Sequence, residues 1–140
     1  MEITVAENSI QQQDAFQVRT LVFVEEQKVP ADLEIDELEN ESIHFVGYED
    51  GTPGAAARMR LVDEYAKMER ICILKDFRGK HYGNDLMWAM EEEAKKRGVQ
   101  KAKLNAQTQA IPFYERLGYS VVSDEFMDAG IPHKTMTKQL

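Results

Sequence analysis

Apolar and polar residues alternate over residues 2–7, which predicts a first strand. Ser9 is placed to cap a helix running to about Val24, with Ala15, Phe16, Val18, Leu21 and Val22 on its buried side. Residues 31–42 have no period and predict a loop with one helical turn. Alternation returns over Ile43–Glu49, and Asp50-Gly51 is a hairpin turn signal before a third strand over Ala55–Val62. A fourth strand is predicted over Lys67–Leu74, after a break near Asp63-Glu64. From about Gly79 to Arg97 the period becomes helical, with Leu86, Met87, Met90 and Ala94 on one face and Gly98 as the stop. A fifth strand, Lys101–Ala106, a short helix, Ala110–Leu117, and a final pair, Tyr119–Ser123 with Lys134–Lys138, complete the chain.

These elements predict one α+β domain over residues 1–140. Its 43% hydrophobic and 30% charged residues are those of an ordinary globular protein, so neither a fibrous nor a disordered class is expected. No apolar run approaches the roughly 20 residues of a membrane span. The first residues carry no basic-then-apolar signal pattern, and the single cysteine forms no intrachain disulfide, so a cytoplasmic setting is expected. The net charge of −8 argues against nucleic acid. It allows a cationic substrate, since Glu25, Glu26, Asp32, Glu34, Asp36, Glu37, Glu39 and Glu41 lie close together; for most of them a solvated loop is the competing reading. Three scattered histidines offer no metal-ligand spacing, and no metal is expected.

The chemistry concentrates in Glu69–Asn84. An apolar strand through Ile71-Cys72-Ile73 runs into Arg78-Gly79-Lys80-His81-Tyr82-Gly83 just before the long helix. A strand, a glycine-containing turn and a helix N-terminus form an anion site, because backbone N–H groups and the helix dipole converge there. This stretch resembles motif A of the GNAT superfamily of N-acetyltransferases, Gln/Arg-x-x-Gly-x-Gly/Ala, with His81 in place of the middle glycine. The later run Ala110-Ile-Pro-Phe113-Tyr114-Glu-Arg-Leu117-Gly118-Tyr119 resembles that family's motif B, with Gln107 where asparagine is common and Asn105 two residues earlier. With Arg19-Thr-Leu-Val-Phe-Val-Glu-Glu-Gln27, His44 and Gly130-Ile-Pro-His133, the chain is similar to the small bacterial ElaA/YjcF-type subgroup.

The resemblance implies a mixed, mostly antiparallel twisted sheet of about six or seven strands, splayed between the fourth and fifth and flanked by about four helices. It implies acetyl-CoA as co-substrate. Arg78, Gly79, Lys80, His81, Tyr82, Gly83 and Asn84 would hold the pyrophosphate, Ile71, Cys72 and Ile73 the pantetheine, and Asn105, Gln107, Phe113, Tyr114 and Arg116 the rest of the cofactor site. Tyr114 would protonate the departing thiolate. A lysine-like amine is only about 0.04% neutral at pH 7, so a base is useful. Glu69 is the first candidate, against a salt-bridged strand residue; His44 is the second, against a structural histidine; His133 or a water chain is also open. Simple alternation places Cys72 on the face opposite Glu69, Ile71 and Ile73, and nothing near it in sequence activates it as a nucleophile. Arg19, Phe23, Glu26, His44 and His133 are the expected acceptor contacts. The implied activity is acetyl transfer to a primary amine of a small molecule, by a monomer or homodimer. A non-catalytic acyl-CoA-binding module and a protein-lysine acetyltransferase are the alternatives.

Overall fold

Asn8, rather than Ser9, starts the first helix. Its side chain accepts from Gln11 N at 2.8 Å, and the Gln11 side chain accepts from the Asn8 backbone at 3.4 Å, a reciprocal cap. In the computed structural model, which describes residues 1–140, α1 (Ser9–Arg19) continues as a wider π-helical stretch over Thr20–Glu26. The extra residue per turn shifts the faces. Ala15, Val18 and Val22 stay buried as expected, whereas Leu21 turns outward.

The strands are β1 (Glu2–Val5), β2 (Ile43–Glu49), β3 (Thr52–Val62), β4 (Tyr65–Ile73), β5 (Lys101–Gln107), β6 (Ser120–Val121), β7 (Phe126–Asp128) and β8 (Ile131–Gln139). They form one sheet in the order β1-β2-β3-β4-β5-β8-β6, with β7 also on β8, so there are eight strands where six or seven were expected. The additional strand is β7, three residues long and joined to β8 through Ala129 and Gly130, both at positive φ. The Asp50-Gly51 turn forms as predicted, with φ of 50° and 81°. Four α-helices flank the sheet: α1, α2 (Ala31–Glu34), α3 (Tyr82–Lys96) and α4 (Ile111–Arg116). None is long and apolar enough to cross a membrane. The segment between α1 and β2 has two helical turns rather than one, at Ala31–Glu34 and Glu39–Glu41.

Two cores hold the sheet between helices. On one face α3 buries Leu86, Met87, Met90 and Ala94 against Phe45, Met59, Met68 and Leu104. Burying each large side chain contributes about 1.5–3 kcal/mol before chain entropy is counted. On the other face Ala15, Val18 and Val22 pack on Val46, Ala56 and Cys72.

Two irregularities in β4 position the site. Its only parallel pairing, to β5, covers Tyr65–Met68 with Lys101–Leu104 and then stops, so the strands diverge beyond it. Against β3, Arg58 opposes Glu69 and Ala56 opposes Cys72, leaving Arg70 and Ile71 opposite Ala57 alone. This is a β-bulge, with Arg70 at φ 55°, a left-handed conformation that costs a non-glycine residue on the order of 1–2 kcal/mol. The bulge resets the alternation. Glu69 shares the α1 face with Cys72, while Ile71 and Ile73 pack on the α3 side. The sequence expectation grouped Glu69 with Ile71 and Ile73, and the extra residue overturns it.

Candidate active site

The loop from β4 to α3 is built from backbone. Gly79 has φ 82° and His81 φ 64°, ψ 21°. Histidine tolerates this left-handed region, so the motif's glycine is replaced without closing the loop. Backbone N–H groups of Gly79, Lys80 and His81 have no backbone acceptor, and those of Tyr82 and Gly83 open α3, where no intrahelical acceptor exists. Five consecutive donors therefore stand at a helix N-terminus. They border a cleft of about 420 Å³ lined in part by Ile73, Arg78, Gly79, His81, Tyr82, Gly83 and Asn84 from this side, and by Phe113 and Arg116 from α4. Nine of the predicted cofactor residues thus meet in one place. Gly83 also has a packing role, since a Cβ there would stand 3.1 Å from the Phe113 ring. Phe77 and Leu117 line the same cleft and were not foreseen. Phe77 sits where a Cβ on Gly54 would come within 2.9 Å of its ring, so that glycine is its only sequence trace.

Other predicted cofactor contacts point elsewhere. Lys80 reaches Glu49 at 3.2 Å, and the Tyr82 hydroxyl donates to the same carboxylate. Asn105 accepts from Thr135 at 2.9 Å. Gln107 donates to Gln27, just past the π-helical stretch, at 2.9 Å. Cys72 is fully within the α1-side core, its thiol facing Ala56 O at 3.6 Å, and burial pushes its pKa up to about 12. It is no nucleophile. Tyr114 is buried, with Phe113 and Tyr119 edge-on at 5.1 and 6.0 Å. Burial, the largest cause, raises its pKa, so the phenol keeps its proton at neutral pH.

The expected base and acceptor contacts are differently placed. Glu69 accepts from Arg58 Nε at 2.9 Å and from Arg60 Nε and Nη2 at 2.9 and 3.0 Å, with Lys67 at 3.7 Å. Burial favours its neutral form, but the Arg60 hydrogen bonds and the Arg58, Arg60 and Lys67 charges outweigh this and lower the pKa. A carboxylate shared among three cations is a weak proton acceptor, and Glu69 has the partners of the salt-bridged alternative. His44 is 5% exposed, faces Phe16 at 5.2 Å and donates from Nε2 to Glu39 O at 2.9 Å. Burial, foremost, lowers its pKa and keeps it neutral. Arg19 is entirely buried and grips Glu34 Oε1 at 2.8 Å and both Glu39 oxygens at 2.9 and 2.8 Å. Both residues are buried and engaged with protein partners in this arrangement.

Phe23 packs on the α1-side core. Glu26 pairs both oxygens with Arg78, which lines the cleft, at 2.7 Å. His133 lies opposite Gln107 at the open end of β5, stacked on Phe126 at 6.0 Å and donating from Nδ1 to Ile131 O at 2.6 Å. Of the five expected acceptor residues, Arg19 and His44 meet at Glu39 and Phe16, whereas Glu26 and His133 lie apart from them. Half of the acidic cluster is paired: of the eight residues, Glu26, Glu34, Asp36 and Glu39 each meet an arginine, and Glu25, Asp32, Glu37 and Glu41 stay exposed.

Residues 7–140 match the acetyltransferase (GNAT) domain. The chain belongs to the GNAT family. The Bacillus subtilis (strain 168) protein YjcF, described as an uncharacterized N-acetyltransferase, is 52% identical over 99% of both chains. Among solved structures, Escherichia coli ElaA superposes with a TM-score of 0.84 at 25% identity, covering 99% of this chain and 97% of ElaA. The PaiA N-acetyltransferase from Thermoplasma acidophilum, solved with coenzyme A, covers 100% of both chains at a TM-score of 0.73 and 16% identity, and so shares the fold. As a GNAT, this chain is an acyltransferase.

Proposed function

We propose that this GNAT transfers the acetyl group of acetyl-CoA to a primary amine of a small molecule by direct attack in a ternary complex. The observation that carries the reading is the run of unpaired N–H donors from Gly79 to Gly83 at the α3 N-terminus, bordering a cleft that Ile73 at the end of β4 also lines. That donor set suits a pyrophosphate in number and polarity. Bound there, acetyl-CoA supplies the activated thioester. The chain's own residues do the rest. The cradle and the β4 edge through Ile71 and Ile73 hold the cofactor, and a bulge N–H accompanies the charge that develops on the thioester oxygen. Tyr114, held protonated by its burial, gives its proton to the departing sulfur. Deprotonation of the amine falls to water, because Glu69 is tied to Arg58 and Arg60.

Bringing both reactants into one site supplies a large part of the acceleration. A cytoplasmic enzyme, monomeric or homodimeric, accords with this reading. The neutralised Glu69 also favours a second reading, an acyl-CoA-binding module without turnover. Thiol release from acetyl-CoA, measured over a panel of primary amines, separates the two. Amine-dependent release that Gly83→Val abolishes is expected. CoA binding with no release for any amine would leave the binding module.

A further inference from the structure

One half of the sheet carries no helical core on the α1 side. The core beneath α1 draws on Val46, Ala56 and Cys72 from β2, β3 and β4, and on no residue of β5 or β8. Met59, Met68 and Leu104 belong to the α3-side core. Their chain neighbours Arg60, Lys67 and Lys103 therefore point to the other face. The register sets these three side by side: Arg60 on β3 opposes Lys67 on β4, and Lys67 opposes Lys103 on β5. In the next row Tyr65 opposes Lys101, and its ring lies under both Lys101 and Lys103, at 5.7 and 5.5 Å.

Like charges directly opposite one another in a sheet are destabilising. Four cations in two adjacent rows also run against a chain whose net charge is −8. Carboxylates answer them only in part. Glu69 meets Arg60 at 2.9 Å and Lys67 at 3.7 Å, but it also holds Arg58 at 2.9 Å. Lys101 has Glu64, 3.6 Å away and itself 83% exposed. Lys103 has the Tyr65 ring and no carboxylate. The row is thus a half-filled anion site, and its place in the fold says which anion. Parallel pairing of β4 with β5 ends at Met68 and Leu104, one residue beyond the row, so the cations stand at the closed end of the gap. Arg70, in the bulge, follows three residues after Lys67, roughly 10 Å along the strand.

We propose that Arg60, Lys67 and Lys103 anchor a carboxylate of the acceptor, which is therefore an ω-amino acid: its carboxylate stays on the row while its amine reaches the thioester near the bulge. The inference rests on the acetyl-transfer reading above and names the substrate class for it. Lys67 and Lys103 hold the charge that Glu69 leaves over. Their Cβ atoms stand about 5 Å apart, so their ammonium groups can bracket the oxygens of one carboxylate. The distance to the bulge calls for several methylenes between the two ends of the acceptor, which favours a distal amine over an α-amino group.

Steady-state acetylation of matched amines by the full chain tests it. The pairs are ε-aminocaproate with pentylamine and γ-aminobutyrate with propylamine, and γ-aminopropylphosphonate replaces the carboxylate by a phosphonate. The carboxylated member of each pair should have a kcat/KM about tenfold or more above its partner. Lys103→Met keeps the aliphatic stem and removes the charge. It should cut that preference to about twofold through KM, leaving the plain amines and the calorimetric affinity for acetyl-CoA unchanged. Lys67→Met should do the same and guards against a variant that fails to fold. Equal kcat/KM within the pairs would overturn the proposal, as would a preference that survives in both variants. Preference for the phosphonate would overturn the choice of a carboxylate. Failure of acetyl-CoA to bind, or of every amine to react whether charged or not, would instead overturn the acetyl-transfer reading and remove the inference with it.

Discussion

The two sides of the divided sheet are made from different materials. On the α3 side, residues 78–84 present backbone: free N–H groups, left-handed turns and a glycine whose missing side chain admits Phe113. On the α1 side, segment 31–41 turns Glu34, Asp36 and Glu39 inward to Arg19, Arg58 and Arg70, while Asp32, Glu37 and Glu41 face solvent. The α3 side is open to an anion. The α1 side is rich in acids along the chain, yet the three that point inward have their charge matched by arginines. Proximity of carboxylates in a sequence therefore says little about a cationic substrate until their partners are known.

The largest expected effect breaks the saturated side. Arg19→Ala leaves Glu34, 1% exposed, without its buried partner, and should cost about 3–5 kcal/mol of stability in urea unfolding. A loss under about 1 kcal/mol would mean that the network holds nothing in place.

Next comes the open side's chemistry. Tyr114→Phe should lower kcat roughly 10–10³-fold, with a similar fall in kcat/KM and little change in CoA affinity. Its thermal midpoint should scarcely move, because the phenol's surroundings are rings and no hydrogen bond stabilises it. Glu69→Gln sharpens the contrast by a smaller effect. A general base would cost roughly 10²–10⁴-fold. A salt-bridged Glu69 should instead leave kcat within about tenfold, with the acidic limb of the pH–rate profile retained.

The smallest effects are read from pH. Asp36, held mainly by the Arg58 hydrogen bonds, has its pKa lowered from 3.8 to about 2. Its depressed folded value means that its contribution is complete above the unfolded pKa and is lost as pH falls through about 2. Asp36→Asn should flatten that acid loss by about 1–2 kcal/mol. His44, buried neutral, has a folded pKa below 6.5, so its contribution is present above that pH and declines below it. The urea midpoint should fall between about pH 7.5 and pH 5.5. His44→Gln should remove that part of the slope.

What was legible in the sequence follows the same division. The cofactor loop is local: strand, turn and helix start are neighbours in the chain, and Arg78, Gly83, Phe113 and Tyr114 could be recognised by spacing. The arginine network is not. Arg58 lies 22 residues from Asp36, and Arg70 lies 34 from the same carboxylate, separations that carry no period. The bulge was hidden because one inserted residue leaves the composition of β4 unchanged while moving Glu69 to the other face. The choice of Glu69 as base could not take account of that face or of its partners Arg58 and Arg60. His44 looked available because its strand alternates; its burial under Phe16 is a tertiary fact. The π-helical turn after Arg19 likewise displaced Leu21, which a regular period had placed inside.

The central claim is that the free donors of the β4–α3 loop receive the cofactor's phosphates. Amide resonances of the ¹⁵N-labelled chain, followed during titration with acetyl-CoA, test it at the atoms concerned. Gly79, Lys80, His81, Tyr82 and Gly83 should show the largest shifts, saturating together with the heat of binding, and 3′-dephospho-CoA should reproduce them because it retains the pyrophosphate. Binding that leaves these five amides unmoved would contradict the account, whatever activity the protein displays.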